Sequence, residues 1–166
     1  MHNRFVKFIG NNFGNPRGIV GLLMTKIMNI MNQKLYNTIS KKINLEQNNT
    51  LLDIGFGNGY LIKKLLKNNV GIKIYGIEIS KDMVKKVTLK NKHYIEDGKL
   101  KLLLENIEKT SFENNTFDKI VTINTIYFWN NYEECFSEIN RILKPNGKLF
   151  NRLVRQPIIC TSDFQN

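Results

Sequence analysis

The stretch that decides the fold is residues 51–60, which read LLDIGFGNGY. Leu51, Leu52 and Ile54 form the short apolar run that is typical of a buried parallel strand. Glycines follow at positions 55, 57 and 59, and they permit a tight turn and a close approach of the backbone to a ligand. A helix is predicted directly after the turn, so its free N–H groups would face the same ligand. The stretch therefore predicts a ligand site at the end of a strand.

A second predicted strand, residues 72–79 (IKIYGIEI), places an acid where a ribose would be bound. Its Glu78 lies 19 residues after the last glycine of the turn, Gly59, and a carboxylate at about this distance binds ribose hydroxyls in dinucleotide-binding folds. The dinucleotide fingerprint requires a glycine at position 60, where this chain has Tyr60. The pattern therefore indicates a nucleoside-containing cofactor and disfavours a nicotinamide oxidoreductase.

Four motifs, taken in order along the chain, resemble those of the class I S-adenosylmethionine-dependent methyltransferases. They are Asp53 with its three glycines, GIEIS at residues 76–80, FDKIV at 117–121 before Asn124, and EINRILKPNG at 138–147. The resemblance covers about residues 14–150. It implies an α/β fold with a doubly wound, mostly parallel, Rossmann-like sheet. It also implies S-adenosylmethionine as the cofactor and S-adenosylhomocysteine as its product.

The same resemblance implies a cofactor site assembled from the loops that follow the strands. Its residues are Asp53, Gly55, Phe56, Gly57, Gly59, Glu78, Ile79, Asn106, Ile107 and Asn124. By this resemblance Asp53 and the glycine turn hold the methionyl part of the cofactor, and Glu78 holds the ribose hydroxyls. Asn106 and Ile107 contact the adenine, and Asn124 lines the path to the methyl group.

Methyl transfer from a sulfonium is an in-line displacement in which the leaving group departs as a neutral thioether. The protein has mainly to position the reactants and exclude water, so no catalytic triad is required. Tyr127, within YFW at residues 127–129, is the candidate catalytic residue because it follows the fourth predicted strand. It would orient the acceptor, or else form a wall of the pocket. Cys135 has the spacing of a helix core, which favours a small buried hydrophobe over a nucleophile, and His2 and His93 are expected to be solvated.

The length of 166 residues predicts one domain. We divide the chain into an N-terminal arm and helical cap (1–43), a Rossmann-like cofactor-binding domain (44–154) and an irregular tail (155–166). Cys135 and Cys160 lack the spacing of a metal site and no secretory signal accompanies them, so a reduced cytoplasmic protein without a metal is expected. The apolar run 18–31 contains Thr25, Lys26 and Asn29, and therefore falls short of the ~20 apolar residues that a membrane span needs.

The net charge of +11 would suit a nucleic-acid partner. The excess is mostly lysine, however, and many lysines fall on predicted helices whose other positions are apolar. These lysines are Lys63, Lys64, Lys67, Lys81, Lys85, Lys86, Lys90 and Lys92. Solvated helix faces are therefore the favoured interpretation, and nucleic acid is kept as an alternative.

The final part of the chain departs from the family pattern. A helix over residues 132–143, stopped by Pro145 and Gly147, is followed by a fifth predicted strand at 148–154. The family continues with another helix and an antiparallel strand pair, which residues 155–166 cannot supply. The fifth strand is thus expected to be an exposed edge that is prone to self-association.

The leading hypothesis is a methyltransferase whose acceptor is a small molecule, either polar or apolar. An RNA or protein methyltransferase and a non-catalytic cofactor-binding or interaction module remain open.

Overall fold

The computed structural model describes residues 35–68 and 71–153. The predicted arm, most of the predicted cap and the predicted tail, with His2 and Cys160, lie outside the described residues. In chain order the elements are α1 (35–43), β1 (Thr50–Ile54), α2 (Tyr60–Asn68), β2 (Lys73–Glu78), α3 (Lys81–Lys90), α4 (Lys92–Glu96), β3 (Leu100–Leu104), β4 (Phe117–Ile123), a 3-10 helix (Ile126–Phe128), α5 (Tyr132–Ile142) and β5 (Leu143–Arg152). The predicted α/β class is confirmed.

The five strands form one sheet in the order β3-β2-β1-β4-β5, and every neighbouring pair is parallel. All strands therefore finish at the same end of the sheet, which we call the carboxyl end; the opposite end is the amino end. The connections from β1 and from β4 lead away in opposite directions. A crevice consequently opens between these two strands at the carboxyl end, where such sheets bind ligands.

Helices cover both faces of the sheet because successive side chains of a strand point to opposite sides. Leu51 packs with α1, α2 and α3 in one buried cluster, on what we call the front face. Leu52 packs with α5 in a second cluster, on the back face. Both leucines are fully buried. Helices therefore cover both faces of the sheet, as in doubly wound folds, and this covering is what a mostly apolar parallel strand requires.

The lysine-rich stretch after β2 forms two helices. Ser80 caps the first of them, α3, since its side-chain oxygen accepts a hydrogen bond from the Met83 N–H at 3.4 Å. The helix ends at Asn91, whose buried amide donates to the carbonyl oxygen of Val87 at 2.8 Å. This side-chain bond competes with the continuing backbone ladder, and α4 starts at the next residue.

The predicted boundary between the last helix and the last strand is wrong. The helix ends at Ile142, and β5 starts at Leu143, so Pro145 and Gly147 lie within the strand. Pro145 is tolerated because the pairing of β5 with β4 is irregular here: the register shifts between Phe117 and Lys119. In the described part of the chain β5 is an edge strand, as predicted.

None of the described helices is long and apolar enough to cross a membrane. Within residues 35–68 and 71–153, no three His, Cys, Asp or Glu side chains are grouped as a metal site would require.

Candidate cofactor site

The glycine turn joins β1 to α2 through backbone that only glycine adopts readily. Gly55, Gly57 and Gly59 have φ angles of +68°, +50° and +71°. The Gly55 N–H donates to the carbonyl oxygen of Ile77 at 2.8 Å, and the Gly59 N–H donates to that of Phe56 at 2.9 Å. These bonds fix the turn against β2 and deliver the chain into α2.

The three glycines differ in what surrounds them. A Cβ on Gly55 would lie 2.3 Å from Cγ2 of Thr125, and one on Gly59 would lie 2.5 Å from Cγ1 of Val87. A Cβ on Gly57 would meet no described atom within 4 Å. Gly55 and Gly59 are thus required by packing, whereas Gly57 borders open space in which a ligand can approach the backbone.

Glu78 connects the end of β2 to this turn. Its carboxylate accepts from the Gly57 N–H at Oε2 and from the Ser80 N–H at Oε1, both at 3.0 Å. A carboxylate oxygen has two lone-pair directions, so each oxygen retains capacity for a ligand hydroxyl. The predicted ribose-binding acid is therefore held rigidly beside the open position at Gly57.

Asp53 is an acid in an unfavourable environment. It is 4% exposed, at the carboxyl end of β1. Burial, and secondly the charge of Glu78, raise its pKa to about 7. Across the front face, burial and then the charge of Asp53 raise the pKa of the Tyr36 hydroxyl on α1 to about 12. A cationic ligand group placed beside Asp53 would favour the ionised carboxylate.

The predicted adenine contacts lie in the loop after β3. The side chain of Asn106 is exposed and bonds within the loop: Oδ1 accepts from the Glu108 N–H at 3.2 Å, and Nδ2 donates to Glu108 Oε2 at 3.1 Å. Ile107 is buried in the back-face cluster, so its side chain anchors the loop. Glu108 Oε1 also accepts from the Asn130 N–H at 3.1 Å, which ties this loop to the segment after β4.

Asn124, at the carboxyl end of β4, has a left-handed backbone with φ of +59°, a conformation that asparagine tolerates better than most residues. Its N–H donates to the carbonyl oxygen of Arg152 at 3.0 Å. The neighbouring hydroxyls of Thr122 and Thr125 are hydrogen-bonded to each other. The methyl group of Thr125 packs against Gly55, a contact that nothing in the local sequence pattern indicates.

Exposed apolar side chains form a border along the carboxyl end of the sheet. Among the described residues these are Ile79, Leu104, Tyr127, Phe128 and Leu153, all at or just beyond the carboxyl ends of strands. Tyr127 is 49% exposed and Ile79 is 66% exposed. An exposed apolar border of this kind marks a ligand or interaction surface.

Phe56 does not belong to that border. Its ring is buried in the front-face cluster, and Gly76 leaves room for it: a Cβ there would lie 2.6 Å from Cδ1 of Phe56. The predicted contact of Phe56 with the cofactor is thus restricted to its backbone, because the ring is committed to the core.

Cys135 and His93 occupy the environments that the sequence indicated. Cys135 is completely buried on α5, where burial, then Glu108 and Glu134, raise the pKa of its thiol to about 11. A thiol with a raised pKa is a poor nucleophile. His93 is exposed on α4 and its ring contacts that of Tyr94, with centroids 3.8 Å apart. Neither residue is part of the crevice.

An open parallel sheet, a glycine turn at its switch point and a rigidly held acid at the end of the next strand define a nucleoside-cofactor-binding α/β protein. The family model described as a methyltransferase domain matches residues 52–151. The chain therefore belongs to this family, within the class I S-adenosylmethionine-dependent methyltransferases.

Several curated proteins are similar over most of the described chain. The uncharacterized methyltransferase YdaC of Bacillus subtilis is 27% identical over 122 residues, which are 74% of this chain and 65% of that protein. Phosphoethanolamine N-methyltransferase 2 of Caenorhabditis elegans is 31% identical over 100 residues, 60% of this chain and 22% of that enzyme. Sterol 4-C-methyltransferase strm-1 of the same organism is 27% identical over 135 residues, which are 80% of this chain and 38% of that enzyme. The chain thus spans less than two thirds of each of these relatives.

Solved structures agree on the fold. A methyltransferase from Aquifex aeolicus superposes with a TM-score of 0.59 and 24% identity, covering 66% of this chain and 58% of that one. The [4+2]-cyclase SpnF superposes with a TM-score of 0.65 and 22% identity, covering 70% and 42%. The second example shows that this fold also carries other reactions, so the reaction must be argued from the site.

Proposed function

We propose that this chain binds S-adenosylmethionine at the carboxyl end of the sheet and directs its methyl group to a small-molecule acceptor. The observation that carries the proposal is the Glu78 carboxylate, which bridges the N–H groups of Gly57 and Ser80 beside the open space at Gly57. A terminal acid and an approachable backbone at one place are what a nucleoside cofactor requires.

The residues of the crevice fit the two ends of this cofactor. Asp53 is buried, and in the described part of the chain no lysine or arginine forms an ion pair with it. It would hold the positively charged amino group of the methionyl part, and Glu78 would hold the ribose hydroxyls. Asn106 and the backbone of its loop would contact the adenine, with Ile79 along the ribose and Asn124 beside the path to the methyl group.

The cofactor supplies a methyl group on a positively charged sulfur, which departs as a neutral thioether. The chain's own residues need only hold the acceptor in line and exclude water. The rings of Tyr127 and Phe128 project from the 3-10 helix after β4 and remain about half exposed. They would form the acceptor wall, with the Tyr127 hydroxyl orienting the acceptor.

An apolar or amphipathic acceptor suits this border. Its exposed side chains offer contact area and few hydrogen-bonding groups. Among the relatives, one is named for a sterol and one for phosphoethanolamine. The buried free thiol of Cys135 suits a reducing compartment, so a cytoplasmic location is part of the proposal.

Two other functions have support. A macromolecular acceptor, RNA or protein, is the second candidate, and the net charge of +11 favours RNA of the two. A non-catalytic interaction module is the third, since β5 presents an edge strand within the described residues on which another copy of the chain could pair.

The test is calorimetric titration of the purified chain with S-adenosylmethionine and S-adenosylhomocysteine, with NAD as the comparison ligand. We expect micromolar binding of the first two compounds and no binding of NAD.

Glu78→Ala should weaken binding by about 1 to 3 kcal/mol, because ligand hydroxyls and two N–H groups lose their acceptor. Glu113→Ala is the matched control, since Glu113 is exposed in the loop before β4. Failure of a folded protein to bind either compound would reject the cofactor assignment, and unchanged affinity in Glu78→Ala would reject the role of Glu78.

A further inference from the structure

Within the described residues, the net positive charge is concentrated on the helices of the front face. Residues 35–43, α2 and α3 together contain nine lysines and a single acid, Asp82. The back-face helix α5 contains three glutamates and one arginine. An even excess of lysine along the sequence would have enriched both faces alike. The segregation therefore indicates a surface with a function beyond solubility.

The lysines of this face point away from the sheet. On α2 the buried residues are all leucine or isoleucine, and Lys63 and Lys67 are exposed on the opposite side. On α3 Val87 is buried, and Lys81, Lys85, Lys86 and Lys90 are exposed. Since α2 and α3 pack in the same cluster, their outer sides lie on the same face of the molecule, which we call the basic surface.

Asp82 is the single acid on the helices of this surface. The ion pairs within the described residues use other cations: Lys92, Lys99, Lys144 and Arg141. Three pairs of front-face lysines stand four residues apart on one helix, at 63/67, 81/85 and 86/90, where like charges destabilise a helix. A polyanionic partner would relieve this repulsion.

Leu89 distinguishes between the two kinds of polyanion. It lies one turn after Lys85 and Lys86 on α3 and is 69% exposed, the most exposed of the large apolar side chains described. A leucine amid lysines gains by entering the headgroup and acyl boundary of a bilayer, and it gains little on a phosphate backbone. In addition, α1 to α3 show no arginine and no exposed aromatic ring in their described residues, which are the groups that stack on nucleic-acid bases.

We propose that the front face, comprising the outer sides of α1, α2 and α3, docks on an anionic lipid surface. Lys81 is the first residue of α3 and follows Glu78 by three positions, so the basic surface reaches the mouth of the crevice. Docking through this face places the mouth near the lipid headgroups. The inference concerns the surface and does not depend on which acceptor the crevice takes.

The test is co-sedimentation of the whole chain with vesicles of phosphatidylcholine alone or mixed with phosphatidylglycerol. We expect binding to the mixed vesicles only, weakening as salt is raised. The double variant Lys85→Glu/Lys86→Glu should lose about tenfold or more in vesicle affinity, because four units of charge are changed near the surface. The matched control is Lys101→Glu/Lys109→Glu, the same charge change at exposed residues outside the front-face helices. It should change affinity about twofold or less. Circular dichroism confirms that both variants fold.

A second variant separates lipid from nucleic acid. Leu89→Ser should weaken binding to the mixed vesicles severalfold, since it removes the apolar insertion and leaves every charge in place. The same proteins are titrated with a short fluorescent RNA. The proposal is overturned if mixed vesicles bind no better than neutral ones, if both double variants weaken binding equally, or if RNA binds through Lys85 and Lys86 while vesicles do not. Cofactor titration of the variants is independent of these results, so failure of the docking proposal leaves the proposed methyl transfer unaffected.

Discussion

Two aspartates on neighbouring strands, Asp53 and Asp118, occupy opposite ends of the sheet in opposite environments. Asp118, at the amino end of β4, accepts from the Thr50 N–H at 2.8 Å and pairs with Lys144 at 2.9 Å. Burial alone would raise its pKa, but the bonds from Thr50 and Lys144 outweigh it and the pKa is lowered. Asp53 has burial and a second acid nearby, and its pKa is raised.

The difference separates a structural acid from a candidate ligand-binding acid. The fold satisfies Asp118 with a backbone donor and a cation, so ionised Asp118 stabilises the contact between β1, β4 and β5. The fold leaves Asp53 with a free-energy cost when it is ionised, which a bound cation would offset. A perturbed acid in a crevice is a functional candidate for this reason.

The largest expected effect concerns the backbone beside Asp53. Gly57→Val should lower the affinity for S-adenosylmethionine by about 100-fold or more, because the side chain would fill the space where the ligand approaches. The matched control is Gly98→Val, since Gly98 has a similar φ of +68° and also no described atom within 4 Å of an added Cβ. Both variants should lose about 1 to 2 kcal/mol of stability from the left-handed backbone.

Calorimetry and urea unfolding of these two variants distinguish binding from strain. If Gly57→Val retains its affinity for S-adenosylmethionine, the turn serves packing alone and the ligand does not bind at this turn. If Gly98→Val loses affinity equally, the effect is general destabilisation.

The second prediction addresses Asp53 itself. Asp53→Asn should weaken cofactor binding by about 2 to 3 kcal/mol, the value of a hydrogen bond to a charged group. The same variant should be more stable than the wild type at pH 8, by about 2 to 4 kcal/mol. The folded-state pKa of about 7 exceeds the ordinary value of 3.8. Protonated Asp53 therefore makes its full contribution to the free energy of unfolding below pH 4. This contribution is lost as the pH rises through 7.

Urea unfolding at pH 5 and pH 8 checks that sign. The advantage of Asp53→Asn over the wild type should be larger at pH 8, where wild-type Asp53 must ionise within the core. An advantage that is the same at both pH values would show that Asp53 is not the titrating group.

The third prediction is the pH dependence of binding. Ligand binding requires the ionised form of Asp53, so affinity for S-adenosylmethionine should fall about tenfold for each pH unit below 7. The ligand's own amino group remains protonated in this range, as α-amino groups titrate near pH 8. Calorimetry between pH 5.5 and pH 7.5 should give this slope for the wild type and a flat profile for Asp53→Asn. A sloping profile in the variant would assign the proton to another group.

The sequence predicted most of the fold because its strongest signals are local. The apolar run at 51–54 and the glycine turn each specify their own backbone, and both are confirmed. The start of β5 could not be predicted, because Pro145 and Gly147 normally stop a strand. Their place in β5 depends on a register shift against β4, which is a contact between distant parts of the chain.

The arrangement of the candidate site was predictable in part. The local pattern singled out Glu78 and Gly57, which the structure joins by a hydrogen bond, but it assigned one role to all three glycines and a ligand contact to Phe56. The structure shows that Gly55 and Gly59 accommodate Thr125 and Val87, and that Gly76 accommodates the Phe56 ring. These are contacts between separate elements, and a single sequence carries no sign of them.

The smallest effect is expected at the other acid. Asp118→Asn should lower the free energy of unfolding by about 1 kcal/mol at pH 7, a value kept small because Lys144 stays 38% exposed and solvated. The pKa of Asp118 is lowered by folding, so its contribution is present above the ordinary carboxyl pKa and is lost as the pH falls through the lowered one. Urea unfolding should therefore show a difference in stability between the variant and the wild type at pH 7 that shrinks in acid. This difference is opposite in sign to that of Asp53→Asn.

Cofactor affinity should be unchanged in Asp118→Asn, because Asp118 is at the far end of β4 from the crevice. A loss of affinity in Asp118→Asn would mean that the two ends of the sheet are coupled. The environment of an acid would then not be enough to distinguish a structural acid from a ligand-binding acid in this fold.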